Sequence, residues 1–117
     1  MYYNEETIIY LDGKWVKAKS ASTDLYSQTL HYGAGVFEGI RSYKTEDGAK
    51  VFKAKEHYER LLYSAEKMHI QLEYSVEELT NLTYELLEKN NFDNAYIRPL
   101  VYLGANMALQ PNADVHI

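Results

Sequence analysis

Apolar and polar positions in this chain follow two different periods. Period-two runs occupy residues 7–11, 14–17, 36–43, 49–53, 95–103 and 115–117, which predicts six short strands. Asp12-Gly13 separates the first two runs and predicts a tight hairpin. Thr45-Glu46-Asp47-Gly48 predicts a turn between the third and fourth. Helical spacing takes over from about Lys55 to His69, where Tyr58, Leu61, Leu62, Ala65 and Met68 make one apolar stripe. Ser75-Val76-Glu77-Glu78 is a capping box that opens a second helix, which runs to about Lys89. Val76, Leu79, Leu82 or Thr83, and Leu86 are its expected buried face, and Asn90-Asn91 its stop. Residues 18–24 and 104–114 read as loops, and residues 25–31 as a short helical turn.

Two of the strand runs are unusual. Residues 36–43 put Val36, Glu38, Ile40 and Ser42 on one side and Phe37, Gly39, Arg41 and Tyr43 on the other. Neither side is cleanly apolar, and a strand with broken patterning is where a site is expected. Residues 95–103 are cleaner, with Ala95, Ile97, Pro99, Val101 and Leu103 on one face. Tyr96, Arg98, Leu100 and Tyr102 occupy the other, which reads as a site wall or as a hydrated sheet face. Pro99 cannot donate to a ladder, so an edge or a bulge is expected there.

The stretch 31–41, HYGAGVFEGIR, carries three glycines beside two aromatics, an acid and an arginine. Gly33, Gly35 and Gly39 allow positive φ or the close approach of another group. Their spacing is one residue too long for a dinucleotide-binding fingerprint, and they precede a strand where that fingerprint follows one.

Composition narrows the classes. The 117 residues suffice for one domain with a core. No apolar run is long enough to span a membrane, and no secretory signal pattern opens the chain. Without cysteine there is no disulfide, zinc-thiolate or thiol nucleophile, which fits a reducing cytoplasm. A net charge of −5 argues against non-specific nucleic-acid binding. Of the twelve basic residues only Arg41, Arg60 and Arg98 are arginine, the type whose planar fork grips carboxylate or phosphate. Arg60 lies opposite the apolar stripe of its helix, so periodicity alone reads it as a solvated surface residue.

HYGAGVFEGIR, FKAKEHYERL and NAYIRPLVYLG, in that order and spacing, resemble the N-terminal portion of fold-type IV pyridoxal-phosphate (PLP) aminotransferases, and of the branched-chain amino acid aminotransferases in particular. The resemblance runs from about Ile9 to Ile117. It implies an α+β fold, an antiparallel or mixed sheet with two helices packed on one side. Residues 1–117 would be the smaller N-terminal domain of the family. By the same resemblance Arg60 holds the PLP phosphate. Phe37, Gly39, Tyr96 and Arg98 line the substrate pocket. Tyr32 reaches the partner subunit's pocket, and Met107, Ala108 and Leu109 shape the neighbouring site across a small gap in the match. Arg41 has no ligand role to carry over and is expected in a structural pair. The implied substrates are branched-chain amino acids and 2-oxo acids, including 2-oxoglutarate, in a cytoplasmic homo-oligomer of amino-acid biosynthesis.

The family's Schiff-base lysine, and its acid near the pyridine nitrogen, correspond to positions downstream of Ile117. None of the nine lysines fits that role, since all lie in loops, at turns, or on or beside helices. The run Val115-His116-Ile117 stops one step into an apolar strand, which reads as a truncated chain, inactive by itself. D-amino acid aminotransferase and aminodeoxychorismate lyase are alternatives within the fold type. A stand-alone non-catalytic domain binding a small anion or a partner protein is the alternative outside it.

Overall fold

The computed structural model describes residues 3–106 and 113–117. Its elements follow the two periods. They are β1 (Ile8–Leu11), β2 (Lys14–Lys17), α1 (Gln28–Tyr32), β3 (Gly35–Phe37), β4 (Ile40–Thr45), β5 (Gly48–Val51), α2 (Ala54–Lys67), α3 (Val76–Asn90), β6 (Ala95–Ile97), β7 (Leu100–Leu103) and β8 (Val115–His116). The β1–β2 hairpin closes through Asp12 at φ 50° and Gly13 at φ 83°, as the Asp-Gly pair predicts.

Two expected strands are each split. Residues 36–43 become β3 and β4, interrupted at Glu38-Gly39, and residues 95–103 become β6 and β7, interrupted at Arg98-Pro99. The two interruptions face each other. Pairing runs Val36 to Val101, Phe37 to Leu100, then Ile40 to Ile97 and Arg41 to Tyr96, so no residue is inserted on either side. Pro99 therefore makes no bulge. It lacks the N–H the ladder needs, while its carbonyl still accepts from the Glu38 N–H at 3.1 Å. The result is one long antiparallel ribbon with β5 added beside β4 at one end and β8 beside β7 at the other.

The alternation along that ribbon holds. Val36, Glu38, Ile40, Ser42, Ile97 and Val101 are buried on its inner face, while Phe37, Arg41, Tyr43, Tyr96, Arg98 and Leu100 are exposed on the outer. Helices α2 and α3 pack on each other and cover the inner face, which makes the fold α+β with two helices on one side. The core is Ile40, Leu61, Val101, Tyr58, Leu79 and their neighbours.

Two details of the helices depart from the simple stripes. Met68 is exposed, because it is the C-cap of α2; the buried role passes to Ile70 beyond the turn. In α3 the buried row is Leu79, Thr83 and Leu87 at four-residue spacing, with Leu82 and Leu86 only half-buried. Thr83 is drawn in by Tyr58, whose hydroxyl it meets inside the core. Helix α3 ends at Asn91 with φ 53°, the left-handed stop expected of asparagine. Its start is capped by Ser75, whose Oγ accepts from the Glu78 N–H at 3.0 Å. Ser75→Ala is expected to cost about 1 kcal/mol of stability in a urea titration; an unchanged midpoint would mean the cap contributes nothing. Among the described residues no helix is long and apolar enough to cross a membrane.

Candidate functional site

The outer face of the ribbon gathers four of the residues singled out from the sequence. Cross-strand pairing sets Phe37 and Gly39 on one strand against Tyr96, Arg98 and Leu100 on the other. The Arg98 guanidinium lies 4.3 Å from the centre of the Phe37 ring, a cation–π arrangement. Its Nη2 donates to the Tyr96 hydroxyl at 2.6 Å and its Nε at 3.2 Å. The Tyr96 ring in turn lies over Gly39. A Cβ there would come within 2.5 Å of the Tyr96 hydroxyl, so position 39 must be glycine for Tyr96 to lie flat. Arg41 stands 5.9 Å from the centre of the Tyr96 ring. It forms no ion pair among the described residues, so the structural pair expected of it is replaced by this aromatic contact.

This face is open. Phe37 is 57 % exposed, and Tyr96 and Leu100 are nearly as accessible. A polar–aromatic wall that the described residues leave accessible is suited to a molecule with an apolar body and an acidic end.

The other glycines of the stretch divide the two possibilities left open by sequence. Gly33, at φ 71°, is the left-handed stop of α1. Gly35 is needed for close approach, since a Cβ would sit 3.0 Å from the Val101 carbonyl. Helix α1 is pinned to the end of β7, where Thr29 Oγ1 accepts from the Leu103 N–H at 2.8 Å and Gln28 donates from its N–H to the Gly104 carbonyl at 3.0 Å. This places Tyr32 on α1 rather than on the ribbon, exposed, with its ring 6.3 Å from that of His31. Met107, Ala108 and Leu109 lie outside the described residues.

Arg60 is not simply solvated. Its side chain is 64 % exposed, yet it donates from Nε to Glu38 Oε1 at 2.6 Å and from Nη2 to Oε2 at 2.8 Å. Glu38 is only 5 % exposed and receives a third bond, from His57 Nδ1, at 2.9 Å. Alternation puts Glu38 on one side of a strand with no cleanly apolar face, and it gives no partner for the acid. The usable signal was an acid on the same side as Val36 and Ile40, where only a paired carboxylate is tolerated. The two clusters are therefore adjacent in the chain but on opposite faces of the ribbon. Phe37 and Gly39 face outward, and Glu38 between them faces inward to α2.

The Arg60 fork holds the Glu38 carboxyl below the usual carboxylate range, against the opposing effect of burial, with His57 as a weaker contributor. A depressed folded-state pKa stabilises the fold above the ordinary glutamate value and loses that contribution as pH falls through the folded value. Glu38→Gln is thus expected to destabilise the fold at pH 7 and to cost less at pH 3. Urea midpoints at both pH values check this; a gap independent of pH would refute it.

Seven of the nine lysines are engaged elsewhere. Lys17 and Lys19 hold Glu6, Lys44 pairs with Asp93, Lys55 with Glu59 and Lys89 with Glu85. Lys53 and Lys67 lie over Phe52 and Tyr63.

Comparison with known proteins agrees with this architecture. The chain is 40 % identical over 116 residues to a branched-chain-amino-acid aminotransferase of Pseudomonas aeruginosa, covering 97 % of this chain and 38 % of that protein. Among solved structures it is similar to a branched-chain aminotransferase of Thermoproteus uzoniensis crystallised with norvaline, with a TM-score of 0.89 and 34 % identity over 94 % of this chain and 38 % of the other. It is also similar to the branched-chain amino acid aminotransferase of Escherichia coli, with a TM-score of 0.86 and 33 % identity over 97 % and 38 %. A further similar structure is a branched-chain amino acid aminotransferase complexed with N-(5'-phosphopyridoxyl)-L-glutamate, with a TM-score of 0.85 and 37 % identity over 95 % and 39 %. The chain thus spans less than two fifths of the length of these relatives. The family model described as amino-transferase class IV matches residues 35–117, the segment that holds the ribbon, both helices and the Glu38 cluster, and the chain belongs to that family.

Proposed function

We propose that this chain is the small N-terminal domain of a PLP-dependent branched-chain amino acid aminotransferase. The whole enzyme would exchange an amino group between leucine, isoleucine or valine and 2-oxoglutarate. The observation that carries this reading is the Phe37–Arg98–Tyr96 arrangement over Gly39. One open face offers apolar rings to an aliphatic side chain and a guanidinium to a distal carboxylate. Both substrates of such an exchange could use it in turn.

The residues present also fit a phosphate-bearing cofactor. Arg60 commits Nε and Nη2 to Glu38, and Nη1 makes no hydrogen bond among the described residues, so donors remain for a phosphate. When bound, PLP supplies an electron sink that weakens bonds at the α-carbon of the amino acid. The chain's own share is to grip the phosphate through Arg60 and to orient substrate through Phe37, Gly39, Tyr96 and Arg98. Tyr32 and the segment Met107, Ala108 and Leu109 would serve a neighbouring subunit's pocket in a homo-oligomer, in the cytoplasm and in amino-acid biosynthesis.

The proton-moving lysine would come from outside these residues. The purified 117-residue chain is accordingly expected to give no turnover of leucine with 2-oxoglutarate, whereas the full-length enzyme turns over both. A panel of L-leucine, L-valine, L-glutamate and D-alanine on the full-length enzyme tests the substrate class. Preference for D-alanine would overturn the branched-chain reading, and steady turnover by the short chain would overturn the division of labour.

A further inference from the structure

Glu38 is a buried carboxylate whose two oxygens take three donors from one helix. His57 and Arg60 are three apart on α2, so both side chains leave the same face of the helix and converge on it. Packing alone does not call for an acid here, since a buried ion pair is commonly no better for stability than an apolar residue of similar size. The geometry of the fork suggests another use. Arginine has two edges that can grip an anion: one formed by Nε and Nη2, the other by Nη1 and Nη2. Glu38 occupies the first, with Nε on Oε1 and Nη2 on Oε2. The second edge lies on the far side of a side chain that is 64 % exposed.

We infer that Glu38 is a positioning residue for cofactor binding: by filling one edge of Arg60, it fixes the guanidinium plane so that the other edge is presented to the cofactor's phosphate. His57 holds Glu38 in turn, through Nδ1 to Oε2. Glu38 itself touches neither cofactor nor substrate. The inference rests on the reading that Arg60 binds the phosphate.

The sign of the effect separates positioning from charge. A carboxylate beside a phosphate site repels the phosphate. If Glu38 acted only through its charge, Glu38→Gln would tighten cofactor binding. If it positions Arg60, the same change weakens binding, because the amide offers one acceptor where the fork needs two.

The experiment titrates the cofactor-stripped full-length enzyme with pyridoxal 5'-phosphate, and separately with pyridoxal, which has no phosphate. Absorbance follows binding and thermal unfolding checks the fold. Glu38→Gln is expected to weaken pyridoxal 5'-phosphate by about tenfold, the scale on which outer partners of ligand-holding side chains act, and to leave pyridoxal within about twofold. Arg60→Ala should bring the two affinities together, and Glu38→Gln added to Arg60→Ala should change nothing further. If Glu38→Gln does not fold, Glu38→Asp, one methylene too short to reach the fork, is read by the same criteria. Equal weakening of both compounds, tighter binding of the phosphate form, or additive effects in the double variant would overturn the positioning role alone. An unchanged ratio in Arg60→Ala would overturn the phosphate reading, and the inference with it.

Discussion

Leu61→Ala is expected to be the most damaging single substitution in the fold, costing about 2–5 kcal/mol. Leu61 is fully buried, at the middle of the α2 face that covers the ribbon. Ile40 and Val101, both also without exposure, belong to the same core. Truncating the side chain loses its transfer free energy and leaves a cavity between a helix and a sheet that cannot both move inward. A domain of this size has roughly 5–15 kcal/mol of stability in total, so the loss is a large share of it. Urea unfolding followed by circular dichroism measures the effect. A cost below about 1 kcal/mol would mean that α2 relaxes onto the ribbon and that the core is less tightly packed than the burial of Leu61 indicates.

The second large effect belongs to Arg98. Arg98→Gln in the full-length enzyme is expected to slow the half-reaction with L-glutamate about 10- to 150-fold, the range that corresponds to losing a charged hydrogen bond of about 1.5–3 kcal/mol. The half-reaction with L-leucine should fall by much less, because an aliphatic side chain draws on the Phe37 and Tyr96 rings rather than on the charge. Tyr96 keeps its place over Gly39 only as long as the glycine is there, so Gly39 is left unchanged in this comparison. Single-turnover kinetics with each amino acid give the ratio. Equal slowing of both half-reactions would show that Arg98 holds up the wall as a whole instead of receiving the distal carboxylate.

Both predictions start from residues visible in the sequence, and they differ in how much of their setting was visible too. The place of Leu61 followed from helical spacing, because burial of a helix face is a local, periodic property. The Tyr96 and Arg98 face followed from strand alternation for the same reason. The family motifs named the candidate residues Arg60, Phe37 and Gly39 before any contact was known. Met68 was misplaced on a buried face because a stripe does not announce where its helix ends, and Leu86 is only half-buried because the four-residue row through Thr83 depends on a hydroxyl from another helix.

The order of residues along the chain was enough to specify the hairpin at Asp12-Gly13, the cap at Ser75, the stop at Asn91 and the two-faced character of residues 36–43 and 95–103, since each depends on neighbours within a few positions. Long-range packing was needed to set Glu38 and Pro99 opposite each other, so that two runs read as single strands break at one shared place without a bulge. Packing also brought Arg60, on the face of α2 turned from the apolar stripe, to an acid 22 positions earlier in the chain. Periodicity reports which side of an element a residue occupies. It carries no information on which distant residue waits there, and that pairing is set by how α2 crosses the ribbon.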